Sequence, residues 1–407
     1  MKKILILFLT VTSVVGLAWA VNFYWHNFRG ASPAFLSPSG DIRDFVPATG
    51  DNITTRPSEN KTDFPLTLPD GFLISIFADD VPGARVMAFS GADLFVSQTK
   101  EGTISRLPIR DGRVSATELF LKNLRNPHGL AFDPHDYNML YYATESGVYR
   151  VSVSDVASSE KIIDLPAGGR HTTRTLLFGP DDRLYVTIGS SCDVCEEAHP
   201  WLAGMISLKR DGSDVRIEAI GLRNAVFMDI EPITGNIWLT EMGRDRLGDD
   251  VPPDELNRLV IDGNTKDYGW PICYGQNIHD TDFDKNTYIR NPCEEKIPAA
   301  VDLQAHSAPL GIAFVPEEGW PEDYWYDALV AYHGSWNRTV PTGYKIVRHK
   351  FDADGNYLGV EDFISGWLTK DGALGRPVDV VAQPGGVLYV SDDKAGVIYQ
   401  IRYLGTI

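Results

Sequence analysis

The sequence predicts an all-β protein, a six-bladed β-propeller with four-stranded antiparallel blades. Three observations carry that expectation: a unit that recurs six times, short apolar runs punctuated throughout by Gly and Pro, and no long helical periodicity after the N-terminus. The unit is an apolar strand, a turn that usually ends in Pro, and a second strand of the form apolar-apolar-Val-Ser/Thr. Its copies are residues 85–89 with 94–97, 129–134 with 140–143, 176–180 with 184–187, 228–232 with 237–240, 311–316 with 329–332, and 380–384 with 388–391. The first strands are mostly apolar and alternate weakly, as expected of strands buried on both faces. Second strands recur at first every ~45 residues, the size of a four-stranded blade. The interval widens over 240–310, where an insertion sits. A pair of β-sandwiches, the competing all-β arrangement, would not explain six similar units.

The chain begins Met1, Lys2, Lys3, followed by an apolar run over 4–20 and the small-x-small site Ala18-Trp19-Ala20. That pattern is an export signal. The apolar run continues to Trp25, about long enough to span a bilayer, so residues 1–25 read as a signal peptide or as an N-terminal membrane anchor. In both cases the remainder lies outside the cytoplasm, periplasmic or secreted, with a membrane tether in the second. Residues 26–65, rich in Pro, Ser, Thr, Asp and Asn, read as a flexible linker. The six-bladed propeller domain then occupies 66–407. An apolar strand over 71–77 can complete a sheet with the C-terminal strand over 397–401, closing the ring and removing its exposed edges.

Of the 407 residues 43% are hydrophobic, ample for a large core, and the formal net charge is −18. Such an acidic chain excludes nucleic acid as a partner, since phosphate needs a basic surface. Against that background any local gathering of Arg and His is informative. The four cysteines of an exported chain read as two disulfides, Cys192 with Cys195 and Cys273 with Cys293. A zinc site at the first pair would need a second CxxC or a His pair at ligand spacing, and none follows.

In a propeller the innermost strand of each blade starts at the channel mouth, so the residues just before it face a ligand. The Pro that ends each first strand serves as a ruler. His128 lies six residues before Pro134 and Arg174 six before Pro180; Arg125, His171 and Arg223 each lie nine before theirs. His306 stands ten before Pro316 and Arg376 eight before Pro384; in the first unit Arg85 precedes Phe89 by four, as His128 precedes Phe132. Every blade thus offers a cation or imidazole at nearly one position. Converging guanidinium forks suit a planar polycarboxylate. His171 is the candidate general base and Arg174, three residues on, a stabiliser of developing negative charge. The acidic loop 241–250, with Asp254 and Glu255, is rich in oxygen ligands for Ca²⁺, without EF-hand spacing.

Six blocks bring a known family to mind: His171-Thr-Thr-Arg, the Ile188-Gly-Ser-Ser-Cys segment, Gly221-Leu-Arg-Asn, Asp254-Glu-Leu-Asn, Tyr268-Gly-Trp-Pro and His333-Gly-Ser-Trp-Asn-Arg. From about Leu68 to the C-terminus the chain resembles the soluble sugar dehydrogenases that use pyrroloquinoline quinone, the sorbosone/glucose dehydrogenase-like group. The resemblance implies a six-bladed propeller holding pyrroloquinoline quinone and Ca²⁺. It implies that His171 takes the hydroxyl proton of an aldose, sorbosone-like aldehyde or related sugar while hydride passes to the quinone. Arg223, Asn224 and Arg376 would contact the cofactor, beside Arg85, His128 and His306 of the ring. Gly243 and Arg244 would offer carbonyls to the Ca²⁺. Where glucose-oxidising members carry a lysine on the fifth blade this chain has the 333–338 block, so His333 or Arg338 substitutes; a second arginine is replaced by Val378. Electrons would leave for an external acceptor, a quinone or cytochrome, because no haem-attachment motif CxxCH occurs. Two other classes remain: a Ca²⁺-dependent propeller lactonase or esterase, which would need inward carboxylates, and a non-catalytic ligand-binding propeller.

Overall fold

The structure is a computed structural model describing residues 2–28, 30, 31, 34, 57–352 and 354–405, with the side chains of 2–9 and 11 outside that set. Most of the linker expected over 26–65 therefore lies outside the described residues.

Six inner strands form a closed ring: Ala84–Ser90, Leu130–Asp133, Arg174–Phe178, Ala225–Ile230, Pro309–Phe314 and Pro377–Gln383. Each packs on the inner strands before and after it, and the last packs on the first. Each inner strand carries an antiparallel sheet outward, giving six blades. Blade 2 is a four-stranded meander from Leu130 to Asp164, and blade 5 another from Pro309 to Ile364. Blade 3 gains the short parallel strand Lys266–Asp267 at its outer edge, and blade 1 splits its outer strand into Arg113–Val114 and Glu118–Leu121. In blade 4 the outermost strand, Val301–Leu303, returns only after the insertion that holds Cys273–Tyr274 and Ile278–His279.

The ring closes as the sequence predicts. Phe72–Ala78 runs antiparallel to Val397–Tyr403, with Ile74 opposite Ile401, so the first strand of the domain completes the last blade. The short strand Glu59–Asn60 then lies parallel on its outer side, within the segment read as linker. Both disulfides pair as expected, Cys192 to Cys195 and Cys273 to Cys293.

Blades seat on one another through apolar side chains, for example Phe95 with Phe132 at 5.4 Å between ring centres and Trp238 with Phe351 at 5.1 Å. Near the axis the contact is main chain to main chain. A Cβ on Gly129 would sit 2.5 Å from the Arg174 carbonyl of blade 3, and one on Gly311 2.6 Å from the Val380 nitrogen of blade 6. The glycine at the head of two repeats is therefore a close-approach residue. Buried carboxyls staple blades too: Asp229 accepts the Phe314 N–H at 2.9 Å and Asp379 the Met87 N–H at 2.7 Å.

Residues Lys2–Asn27 form one helix. Its far end touches the propeller, where the Phe28 ring lies 5.5 Å from Trp336. Among the described residues no helix is long and apolar enough to cross a membrane.

Candidate functional site

Because the inner strands run the same way round the ring, the residues that precede them gather at one end of the channel. Two groups form there. The first joins blades 1, 5 and 6. Arg85 pairs with Asp393 at 2.9 Å, and the His333 Nε2 meets the other Asp393 oxygen at 2.9 Å. Arg376 donates its Nε to the His333 carbonyl at 3.0 Å and lies over the Tyr344 ring. Burial alone would raise the Asp393 carboxyl, but His333, Arg85 and Arg376 hold it well below the usual range. His333 is pushed down to about 4 by burial and by Arg376, so it is neutral at pH 7.

The second group joins blades 3, 4 and 5 and contains His171. The Ser190 hydroxyl lies 2.8 Å from the Cys192 carbonyl and 2.8 Å from the His171 Nδ1. A hydroxyl has one hydrogen, and a carbonyl can only accept it, so Ser190 donates to Cys192 and accepts the Nδ1–H. That fixes the tautomer and leaves the His171 Nε2 as a bare lone pair. Burial, followed by Arg223 and Arg170, lowers His171 to about 3, so the ring stays neutral through the physiological range. The Arg223 Nε donates to the Asp193 carbonyl at 2.8 Å and its Nη2 to the Asp193 carboxylate at 2.7 Å. Asp245 accepts from Arg170, and from the Asn337 Nδ2 at 2.8 Å. Asn337 in turn meets the His306 Nδ1 at 3.4 Å, while the His306 Nε2 donates to the Gly248 carbonyl at 2.7 Å. His306 holds φ +64, a backbone state uncommon outside glycine.

Other predicted residues have different settings. Arg174 is fully buried, and its guanidinium donates to the carbonyls of His171, Thr173 and Pro166 at 2.8–2.9 Å. It braces the segment that carries His171 and presents no exposed face to a ligand. His128 is fully buried as well; its Nδ1 meets Thr175 at 3.1 Å and its Nε2 has no protein partner. Burial, with Arg85 and Arg174 nearby, holds it neutral. Arg125 grips Glu145 at 2.9 Å with a side chain 71% exposed, a solvated rim residue. Arg338 binds the Asp249 carbonyl and Asp250, both at 2.7 Å. Spacing along the chain marks cations but not their counterions, Asp193, Asp245 and Asp393, nor the orienting Ser190. Two of these had a visible signal, since Ser190 lies within the Ile188-Gly-Ser-Ser-Cys segment and Asp193 directly follows it.

Beside the second group, the Gly243 N–H donates to Asp254 at 2.9 Å, and a cavity of about 20 Å³ is lined by Glu241, Gly243, Arg244, Glu255, Tyr268 and Asp280. Arg244 faces Asp280 at 3.2 Å. Burial and Glu255 push the Glu241 carboxyl well above its ordinary range, and its Oε2 has no protein partner, nor has the neighbouring Asn224 Oδ1. Oxygen atoms of this kind, buried and unsatisfied, suit a cation. At the axis itself Asp229 and Asp379 are occupied by backbone N–H groups. Among the described residues, the one cluster of three potential metal-ligating side chains is Cys192, Cys195 and Glu197, and its two sulfurs are bonded to each other.

Solved structures share this architecture. A Trichoderma reesei protein of carbohydrate-active enzyme family AA12 superposes with a TM-score of 0.72 at 22% identity, over 87% of this chain and 100% of that one. The holo pyranose dehydrogenase PQQ domain of Coprinopsis cinerea gives 0.70 at 19% identity, over 85% and 100%. The PQQ-bound aldose sugar dehydrogenase of Streptomyces coelicolor gives 0.57 at 17%, over 83% and 99%. An uncharacterized Borreliella burgdorferi protein is 35% identical over 226 residues, 55% of this chain and 58% of that relative, so the chain spans well under two thirds of its length. The description of the TrAA12-like family matches residues 66–404, nearly all of the propeller, and the chain belongs to that family.

Proposed function

We propose that this protein is a quinone-dependent oxidoreductase of sugars or related aldehydes, with pyrroloquinoline quinone across the channel mouth and His171 as general base. One observation carries the reading: a neutral imidazole with a fixed tautomer and a bare Nε2, set among buried guanidinium groups. Family membership, the holo PQQ domain of the Coprinopsis enzyme and the PQQ-bound Streptomyces enzyme support the cofactor. When bound, that cofactor supplies an acceptor for hydride.

The chain's own residues do the rest. Arg223 and Asn224 lie next to His171, and Arg376 approaches from the opposite side; together they suit a tricarboxylate. Each arginine is already aligned by an acid or a carbonyl, so little rotamer freedom is lost on binding. His171 Nε2 accepts the substrate hydroxyl proton, and Ser190 holds Nδ1 so that only Nε2 is available. Gly243, Arg244 and the unsatisfied Glu241 suit a Ca²⁺ that would act as Lewis acid. Occupied carboxylates at the axis disfavour the lactonase reading. Export, retention through the N-terminal helix, and an external quinone or cytochrome as acceptor belong to the same proposal.

The test is dye reduction by the purified chain with pyrroloquinoline quinone and Ca²⁺, over a panel of aldoses and aldehydes. Saturable cofactor binding with turnover on at least one sugar is expected; no binding at micromolar cofactor sinks the reading.

A further inference from the structure

Ser190 and Asp193 reach the site from one short loop that has irregular backbone over 189–200. The segments of the second group hang on it. The Ser190 N–H donates to the Arg223 carbonyl at 2.8 Å, the His171 N–H to the Ser190 carbonyl at 3.2 Å, and the Arg170 N–H to the Ser191 carbonyl at 2.8 Å. The Asp245 N–H donates to the Asp193 carboxylate at 3.1 Å. Asp193 sits between the two cysteines of a disulfide that closes a loop with a sequence separation of only 3. Beyond it, Glu197 accepts from the Ser191 N–H at 2.6 Å and hydroxyl at 2.7 Å. No strand ladder holds this loop.

We propose that the Cys192–Cys195 disulfide, with Asp193 inside it, is a positioning clamp that holds His171 and Arg223 in working geometry only while the disulfide is closed. The clamp rests on the reading of His171 as base. Its physical logic is local. The Cys192 carbonyl accepts the Ser190 hydroxyl hydrogen bond, which fixes the His171 tautomer. The Asp193 carbonyl and carboxylate take two of the Arg223 donors. Opening the S–S bond frees the main chain at both points at once. Cys192 and Cys195 are half-buried and reachable by a thiol, whereas Cys273 and Cys293 are buried in the insertion. Reduction is a two-electron exchange: a dithiol closes its own disulfide and leaves two cysteine thiols, carrying its two protons. Asp193 also raises the His171 basicity against the depression by Arg223 and Arg170.

The experiment reads His171 directly, without the cofactor. The full chain has nine histidines; with ¹⁵N-labelled imidazoles, the His171 signal is assigned by its loss in His171→Gln. The oxidised protein should show one Nδ1–H tautomer. After dithiol treatment, or in Cys192→Ala/Cys195→Ala, the tautomers should mix and the titration midpoint rise by about one pH unit as the arginines move away. Cys273→Ala/Cys293→Ala should leave the His171 signal unchanged. Asp193→Asn, with its loop still closed, should lower the midpoint. It should reduce turnover about tenfold with KM for sugar little altered, and have a smaller effect in the Cys192→Ala/Cys195→Ala background. A His171 signal indifferent to reduction and to loss of the cysteines overturns the clamp. Failure of the oxidised wild type to bind pyrroloquinoline quinone instead overturns the proposed function, and the histidine spectra still decide the clamp.

Discussion

At the scale of single residues, hydrogen-bond counting decides chemistry. The fully buried His128 also has one nitrogen bonded and the other without a protein partner, but His171 is only partly buried, so its bare Nε2 stays within reach of a substrate. His171→Ala is expected to cut turnover by about 10²–10⁴ with cofactor affinity retained, as read by dye reduction beside a binding titration. The pH profile follows from the same setting. A free-enzyme base lowered to about 3 is active when neutral, so kcat/KM should stay level down to about pH 4 and fall only below that. An acid limb near the ordinary histidine value would show that the base is another group. Asp379 tests the opposite sign. Burial raises its carboxyl to about 7, above the unfolded value, so the stability it gives is present at low pH and lost as pH rises through 7. Asp379→Asn should abolish that loss, gaining on wild type by at most about 1.4 kcal/mol per unit between roughly pH 4 and pH 7 in urea titrations.

At the scale of elements, the repeat is a packing rule. A glycine heads the second and fifth units because the next blade's main chain lies against it. Gly129→Ala and Gly311→Ala should each cost about 1–3 kcal/mol, measured by chemical denaturation, because the atoms they meet are main chain and cannot turn aside. The two disulfides act differently. Cys273–Cys293 closes the insertion with a separation of 20, and its removal should cost about 3 kcal/mol. The short Cys192–Cys195 loop gives little by that mechanism, so its value is geometric.

Across the whole molecule, stability depends on closing a ring. Ile74 is fully buried and pairs with Ile401 across the closure. Ile74→Asp would bury an unpaired charge there and should cost more than about 4 kcal/mol, opening blade 6 and with it the Asp379–Met87 staple. Loss of cooperativity in urea, or aggregation through the freed Val397–Tyr403 edge, is the expected reading.

The sequence by itself determined the six units, the closing strand pair, both disulfides and the chain positions of the cations, because each is written as spacing along one strand or one turn. Tertiary structure alone decided what those cations do. Arg174 and Arg376 look alike as strand-start arginines, yet one is fully buried on three carbonyls and the other reaches across to blade 5. Asp193, Asp245 and Asp393 had no periodic signature, since a counterion is chosen by distance between blades and not by position in a repeat. The channel mouth is therefore charge-matched rather than bare. A low-dielectric ring can gather guanidinium groups only where each already has an acid or a carbonyl to face.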